Sequence, residues 1–152
     1  MVAEQGCCNH ERYGRSGEGG PAGPESIVGM KAISLWQPWA SMIASGKKTI
    51  ETRSWPTSYR GDLLICSTKK PQVGNLACGK ALCIVTVQAC VKMTHAHESR
   101  ACCEVYPGAW AWILSNVRPI DAFSVKGSQG FFDVELPVEA RQGQLAMFGE
   151  NT

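Results

Sequence analysis

The sequence has no long hydrophobic run. None of its apolar stretches approaches the roughly 20 residues that a helix needs to cross a bilayer, and its N-terminus has no apolar segment typical of a secretory signal. We therefore expect a protein without a membrane span, located in the cytoplasm, or in the nucleus if its source is eukaryotic. No internal repeat is visible, and a length of 152 residues predicts one domain.

The chain also carries little net charge of either sign. Its formal charge is +2, and residues 1–29 hold four acidic and two basic residues. Residues 30–152 hold 13 basic and 9 acidic residues, an excess of four. Such a mild excess permits an anionic ligand but does not require one.

Cysteine, by contrast, is abundant, with eight residues. In a secreted chain an even number of cysteines would indicate a disulfide framework, but we expect no secretory signal here. Cys66, Cys83 and Cys90 lie inside apolar runs, where a free thiol behaves as a small hydrophobic group. We therefore predict free thiols in a reducing compartment.

The two ends of the chain differ in composition from its centre. Residues 1–29 contain seven of the 16 glycines and have almost no periodic apolar residues. Such a segment buries too little surface to offset the entropy lost on ordering. We predict a disordered N-terminal tail over 1–29, a folded domain over 30–137 and a C-terminal tail over 138–152.

The centre of the chain is rich in strand patterns. Short alternating or β-branched apolar runs predict six strands, which are typical of a mainly β (α+β) fold of one small β-barrel with one or two packed helices. The strands are predicted at 31–35, 48–55, 62–68, 81–93 (broken or bulged) and 109–120, and the last follows a glycine-containing turn within 125–137. Trp110, Trp112 and Leu114 share one face of the fifth strand.

One helix is predicted over 36–46. Pro38 suits a first helical turn, where its missing N–H costs nothing, and Gly46 stands where a left-handed C-terminal cap belongs. Trp39, Met42 and Ile43 share one face, so we interpret Trp39 as the anchor of the helix in the core. The loop at 94–108 is predicted to be irregular or weakly helical.

The segment GKKTIETRSW (46–55) concentrates charge. Lys48, Glu51 and Arg53 fall within six residues, and on spacing alone a strand whose charges face water explains them as well as a binding site does. In a regular strand Lys48 and Glu51 point to opposite faces. They converge only if Lys48 belongs to the turn after Gly46, or if a bulge intervenes.

Two longer stretches resemble the ASCH domain family. They are ISLWQPWASMIASGKKTIETRSWPTSYRGDLLICSTK (33–69), with its G-x-K-T-x-E-x-R strand, and WAWILSNVRPIDAFSVKGSQGFFDV (110–134). The resemblance implies a PUA-like β-barrel with a cleft between helix and barrel, lined by the G-x-K-T-x-E-x-R segment. It also implies RNA binding in RNA metabolism or transcription coregulation, while some relatives act as amidohydrolases on N4-acylated cytidine or as ribonucleases.

With this resemblance, a site for RNA or a modified nucleotide becomes the preferred interpretation of the charged segment. Arginine supplies a two-pronged donor for phosphate, lysine a point charge, and a carboxylate accepts hydrogen bonds from a base edge, while aromatic rings stack on bases. The candidate binding residues are Lys47, Lys48, Glu51, Arg53, Trp36, Trp55, Tyr59, Arg60 and Asn116. Further candidates for the same cleft are Ser34, Lys126 and Gln129.

The alternative is an enzyme in which Lys48 and Glu51 are catalytic. In amidohydrolase relatives a threonine follows the lysine by three residues, and here Glu51 takes that place. A carboxylate cannot replace a hydroxyl nucleophile in the same route, although Lys48 beside Glu51 could act as a base toward water. A third alternative is a protein-interaction module with an inert cleft.

No metal or cofactor is expected. His95, His97, Cys102 and Cys103 form H-x-H-x4-C-C, and adjacent cysteines rarely hold one tetrahedral zinc ion well. We therefore interpret this segment as a loop with exposed histidines.

Overall fold

The computed structural model describes residues 28–137 and residue 140. Most of the predicted N-terminal tail and of the predicted C-terminal tail lies outside the described residues. The first strand begins at Val28, two residues before the predicted start of the domain at Met30.

Six strands and two short helices make up the described part of the chain, in agreement with the predicted mainly β fold. A single 3₁₀ turn at His95–His97 precedes the second helix. The elements in chain order are β1 (Val28–Leu35), α1 (Trp39–Ala44), β2 (Ile50–Arg53), β3 (Gly61–Ser67), β4 (Lys80–Lys92), α2 (Glu98–Ala101), β5 (Trp110–Ser124) and β6 (Phe132–Leu136).

The strands form one sheet in the order β2-β5-β4-β3-β1-β6. Strands β1 and β3 are parallel and the other pairs are antiparallel. A parallel pair needs a crossover, and α1 with β2 provides it. The term barrel holds only loosely, because among the described residues β2 and β6 are the two edges of the sheet and do not pair with each other.

Strand β4 is continuous but irregular, as its sequence predicted. Its register against β5 shifts three times, between Ala81 and Cys83, between Ile84 and Thr86, and between Val87 and Ala89. Such bulges bend a strand and increase its twist. The irregularity therefore lets the two longest strands curve around the core.

The sheet is buried on both faces at its centre. Ile33 and Leu63 pack on the face covered by α1, while their neighbours Ala32 and Leu64 pack on the opposite face. Burial on both faces explains why β3 is a nearly continuous apolar run rather than an alternating one. A third cluster, around Ile50, lies beneath α2.

Helix α1 is shorter than predicted, and its buried side chains are Ala40 and Ile43. Gly46 follows it with a φ of 81°, the left-handed conformation predicted for the cap. The interpretation of Trp39 as the core anchor is wrong, because its side chain is 37% exposed. With only six residues the helix turns a narrow face to the core, and Trp39 at its first position lies outside that face.

The six cysteines within the described residues are free, as predicted. Burial raises the pKa of the Cys66 and Cys83 thiols to about 12. These two thiols therefore stay protonated at neutral pH and act as packing groups. Within the described residues, no helix is long and apolar enough to cross a membrane.

Trp112 is the largest fully buried side chain, and its ring lies 4.9 Å from that of Trp55 and 5.5 Å from that of Phe131. We expect Trp112→Ala to lower the free energy of unfolding by about 3–5 kcal/mol, because it removes these contacts and leaves a cavity. The matched control is Trp36→Ala, which truncates a tryptophan that is 65% exposed and should change stability by less than about 0.5 kcal/mol. Urea denaturation measures both, and similar losses would contradict this account of the core.

Candidate functional site

A cleft of about 670 Å³ opens beside α1. Its walls come from six separate parts of the chain: the end of β1, the start of α1, the segment from Lys48 to Trp55, Thr68 after β3, the loop after α2 and the turn before β6. Pockets of this size are typical of small-molecule and nucleotide sites. The segment that was singled out for its charge forms the floor of this cleft.

Lys48 belongs to the turn after Gly46 and not to β2, which begins at Ile50. Its backbone N–H donates to the carbonyl oxygen of Met42, which holds the turn against α1. The Lys48 side chain is only 3% exposed and lies 3.8 Å from Glu51, measured from Nζ to Oε2. The two side chains therefore converge, by the first of the two routes considered from the sequence.

Two further groups surround the Lys48 ammonium. It donates a hydrogen bond to the carbonyl oxygen of Ala101 in α2. It also lies 5.4 Å from the centre of the Trp39 ring, a cation–π distance. These contacts stabilise a charge that burial would otherwise disfavour.

Glu51 is 6% exposed and sits on β2 opposite Trp112 of β5. Burial raises the pKa of its carboxyl above the ordinary value, although the positive charges of Arg53 and Lys48 and the backbone N–H of Thr52 act in the opposite direction. Burial outweighs both cations, although Arg53 Nε lies 3.4 Å from Oε1 and Lys48 Nζ lies 3.8 Å from Oε2.

Arg53 lies at the end of β2 and reaches across the cleft. Its Nη2 donates to the carbonyl oxygen of Ser34 on β1 at 3.2 Å. Its Nε is buried and has no hydrogen-bond partner within the described residues, since the contact with Glu51 has an ion-pair distance without hydrogen-bond geometry. The Nη2 group of the guanidinium is thus held by β1, whereas its Nε has no hydrogen-bond partner within the described residues.

Aromatic side chains line the cleft around these charges. Trp36 and Trp55 were predicted there, and both lie in its wall. Trp39 and Tyr106 join them, and Trp36, Trp39 and Tyr106 are all exposed. Sequence reasoning missed Tyr106 because it lies in the irregular segment at 94–108, which has no periodicity to indicate its direction.

Polar groups complete the wall. Ser34 and Gln129 lie there, in line with their proposed approach to the cleft, and Thr68 and Ser128 had no signal in the sequence. Thr52 Oγ1 lies 3.8 Å from Cys103 Sγ, so the threonine hydroxyl in the cleft already has a neighbour.

Four of the candidate binding residues lie outside the cleft wall. The side chain of Lys47 is exposed, and Asn116 is exposed in the middle of β5 with a φ of 52°. The Tyr59 hydroxyl donates to the carbonyl oxygen of Asp62. Arg60 Nη1 donates to the carbonyl oxygens of Thr57 and Tyr59 within its own turn.

The histidines stabilise the 3₁₀ turn that precedes α2. His97 Nδ1 accepts a hydrogen bond from the backbone N–H of Thr94 at 3.0 Å, and His95 Nδ1 lies 2.8 Å from Glu98 Oε1. No group of three or more metal-ligating side chains occurs in the part of the chain that the structure describes.

Comparisons with known proteins extend to both the fold and the sequence. The fold is similar to the crystal structure of an ASCH protein from Zymomonas mobilis, with a TM-score of 0.54 and 19% identity over 78% of this chain and 94% of the other. A mutant of that protein matches with a TM-score of 0.51, also at 19% identity, over 78% of this chain and 97% of the other. At this identity the similarity establishes the fold alone.

Sequence identity to two curated proteins is higher, but it extends over a smaller part of this chain. Over 48 residues, or 31% of this chain, it is 48% identical to activating signal cointegrator 1 of Homo sapiens. The corresponding mouse protein is 46% identical over 46 residues, or 30% of this chain. The matched region spans only 8% of the length of each of these curated relatives. The sequence profile of the ASCH domain matches residues 33–124, more than half of the chain, and the protein therefore belongs to the ASCH domain family.

Proposed function

We propose that this ASCH domain binds RNA or a modified nucleotide, with a base in the cleft against Glu51 and Arg53. The observation that carries the proposal is the convergence of Lys48, Glu51 and Arg53 at the floor of a cleft whose rim is aromatic. A basic and aromatic groove is the usual combination for unpaired nucleotides.

Each group has a role that its chemistry supports. The Arg53 side chain lines the cleft and is 23% exposed, so its guanidinium can donate to a base or phosphate oxygen. Glu51 accepts hydrogen bonds from the amino or imino groups of a base edge. Trp36, Trp39 and Tyr106 offer exposed rings on which bases stack.

The name of the human relative, activating signal cointegrator 1, adds a cellular context. We propose by analogy that this domain acts in RNA metabolism or transcription coregulation. This cellular role is inferred from a protein of which this chain matches only a small part. The proposed binding of RNA or a nucleotide in the cleft does not depend on it.

Hydrolysis is a second candidate, and one observation favours it. Burial raises the pKa of Glu51, and the ammonium of Lys48 lies 3.8 Å away. A carboxylate with a raised pKa is a better base toward water at neutral pH. N4-acylated cytidine or RNA would be the substrate, with Lys48 positioning the attacked group.

The first prediction tests binding. Arg53→Ala should weaken binding of a pool of random single-stranded ribo-octamers about tenfold or more, because it removes a charge-assisted contact. The matched control is Arg60→Ala, which removes the same charge from an exposed turn outside the cleft wall and should have a much smaller effect. Fluorescence anisotropy over a salt series measures both, with circular dichroism to confirm folding.

Equal losses for the two variants would show that binding depends on overall charge and not on the cleft. If neither the pool nor single nucleosides bind at low salt, the cleft is inert and the protein-interaction alternative gains.

The second prediction separates binding from turnover. A binding domain should leave N4-acetylcytidine intact, whereas a hydrolase should release acetate and should lose this activity in Lys48→Met and in Glu51→Gln. Lys47→Met changes the exposed neighbouring lysine and should have no effect on turnover. Chromatography of the nucleoside products measures the reaction, and turnover that survives both cleft substitutions would exclude the proposed hydrolytic pair.

The third prediction concerns the charge of Glu51. Because its folded pKa is raised above the ordinary 4.5, the unfolded chain loses this proton at a lower pH than the folded protein does. The associated stability is complete below about pH 4.5 and is lost as the pH rises through the folded pKa of Glu51. The free energy of unfolding of the wild type, relative to Glu51→Gln, should therefore fall across that window.

Denaturant titrations at a series of pH values measure this difference. Glu135→Gln removes an exposed carboxylate of β6 and serves as the control. A difference between wild type and Glu51→Gln that stays constant with pH, or that rises with it, would contradict the raised pKa.

A further inference from the structure

A second pocket of about 440 Å³ adjoins the cleft. The two share the residues Ser34, Trp36, Thr68, Ser128 and Gln129, so they are two halves of one continuous groove. Lys126 and Gln129, which were predicted to approach the cleft, both line this second half. Its walls come from the ends of β1 and β3, from Gly79 before β4 and from the loop between β5 and β6.

The second pocket differs in chemistry from the cleft. Lys69 and Lys126, both exposed, lie in its wall, and the hydroxyls of Thr68 and Ser128 lie between it and the cleft. Among the described residues that line it there is no acidic side chain. Ammonium and hydroxyl groups without a carboxylate are a donor set suited to phosphate oxygens.

Ser34 marks the junction of the two pockets. Its carbonyl oxygen accepts the Arg53 guanidinium, and its Oγ is buried without a hydrogen-bond partner within the described residues. A Cβ on Gly127 would lie 2.6 Å from this Oγ, so a glycine lets the loop pass directly against the serine. A rotation of the Ser34 side chain is the smallest movement that would give the hydroxyl a partner on a ligand.

Trp36 stands at the same junction, with 65% of its surface exposed. Because it lines both pockets, most of this ring is accessible to a ligand in the groove. A ring that borders a base-sized cleft on one side and a cationic pocket on the other is placed to stack on a base while the attached backbone continues past it.

Building on the proposed function, we infer that the groove takes a single-stranded ribonucleotide chain of at least two nucleotides. One base occupies the cleft of Glu51 and Arg53, and the adjoining phosphate lies in the pocket of Lys69 and Lys126. A free nucleoside fills only half of the groove. A base enclosed in this way is out of any duplex, so the strand is unpaired at that position.

The test compares ligands that differ only in phosphate, using the full chain. The probes are the four ribonucleosides, their 5′- and 3′-monophosphates, and a pool of random ribotetranucleotides, with binding followed by tryptophan fluorescence and by calorimetry. A phosphate on one side of the nucleoside should improve affinity about tenfold, because it adds charge-assisted hydrogen bonds.

The double variant Lys69→Ala, Lys126→Ala should lose this gain while keeping the affinity for nucleosides. Its binding to the tetranucleotide pool should show a salt slope smaller by roughly 0.7–1, because the two lysines contact one phosphate. The matched control is the double variant Lys70→Ala, Lys92→Ala, which removes two exposed lysines that line neither pocket.

Two results would overturn the inference. One is equal affinity for nucleosides, monophosphates and tetranucleotides, and the other is an equal effect of the two double variants. If tetranucleotides bind and Arg53→Ala weakens them while Lys69 and Lys126 do not matter, this inference fails and the proposed function stands. If no probe binds and Arg53→Ala changes nothing, both fail.

Discussion

The removal of the Lys48 ammonium and the Glu51 carboxylate from water is the constraint on which the site depends. Each buried ion costs several kcal/mol unless fixed groups replace its hydration. The carbonyl oxygen of Ala101 and the Trp39 ring stabilise the charge of Lys48. The positive charges of Arg53 and Lys48 stabilise that of Glu51. Helix α2 therefore does more than cover the sheet, because the carbonyl oxygen of its last residue accepts the hydrogen bond from Lys48. The apolar cluster around Ile50 holds that helix in place.

The arrangement is poorly suited to stability alone. A buried ion pair is rarely better than well-packed apolar side chains, and this pair does not close to hydrogen-bond distance, with 3.8 Å between Lys48 Nζ and Glu51 Oε2. The raised pKa of Glu51 has the same origin, since burial of the carboxyl outweighs the opposing effect of the two cations. Ionisable groups held at such a cost beneath an open cleft are typical of sites that act on a ligand.

The features of the fold and the site that could be predicted are those that a local sequence pattern specifies. The strands were predictable because alternation and β-branching are local, and Gly46 locally marks the turn that brings Lys48 beside Glu51. The cleft wall was only partly predictable, since Tyr106 and Thr68 come from distant segments with no pattern of their own. Trp39 was misassigned because helical periodicity identifies a shared face but not which residue of a short helix reaches the core.

The curvature of the sheet connects the fold with the site. In the order of strands, β5, β4 and β3 lie between β2 and β1, yet Arg53 at the end of β2 donates to the carbonyl oxygen of Ser34 on β1 at 3.2 Å. A flat sheet would hold these strands roughly 19 Å apart, at about 4.8 Å for each of the four steps. The sheet therefore curls until its ends approach, and a side chain makes the contact that ladder hydrogen bonds make in a closed barrel. The cleft lies where these two strands approach, and Arg53 both bridges them and lines the cleft.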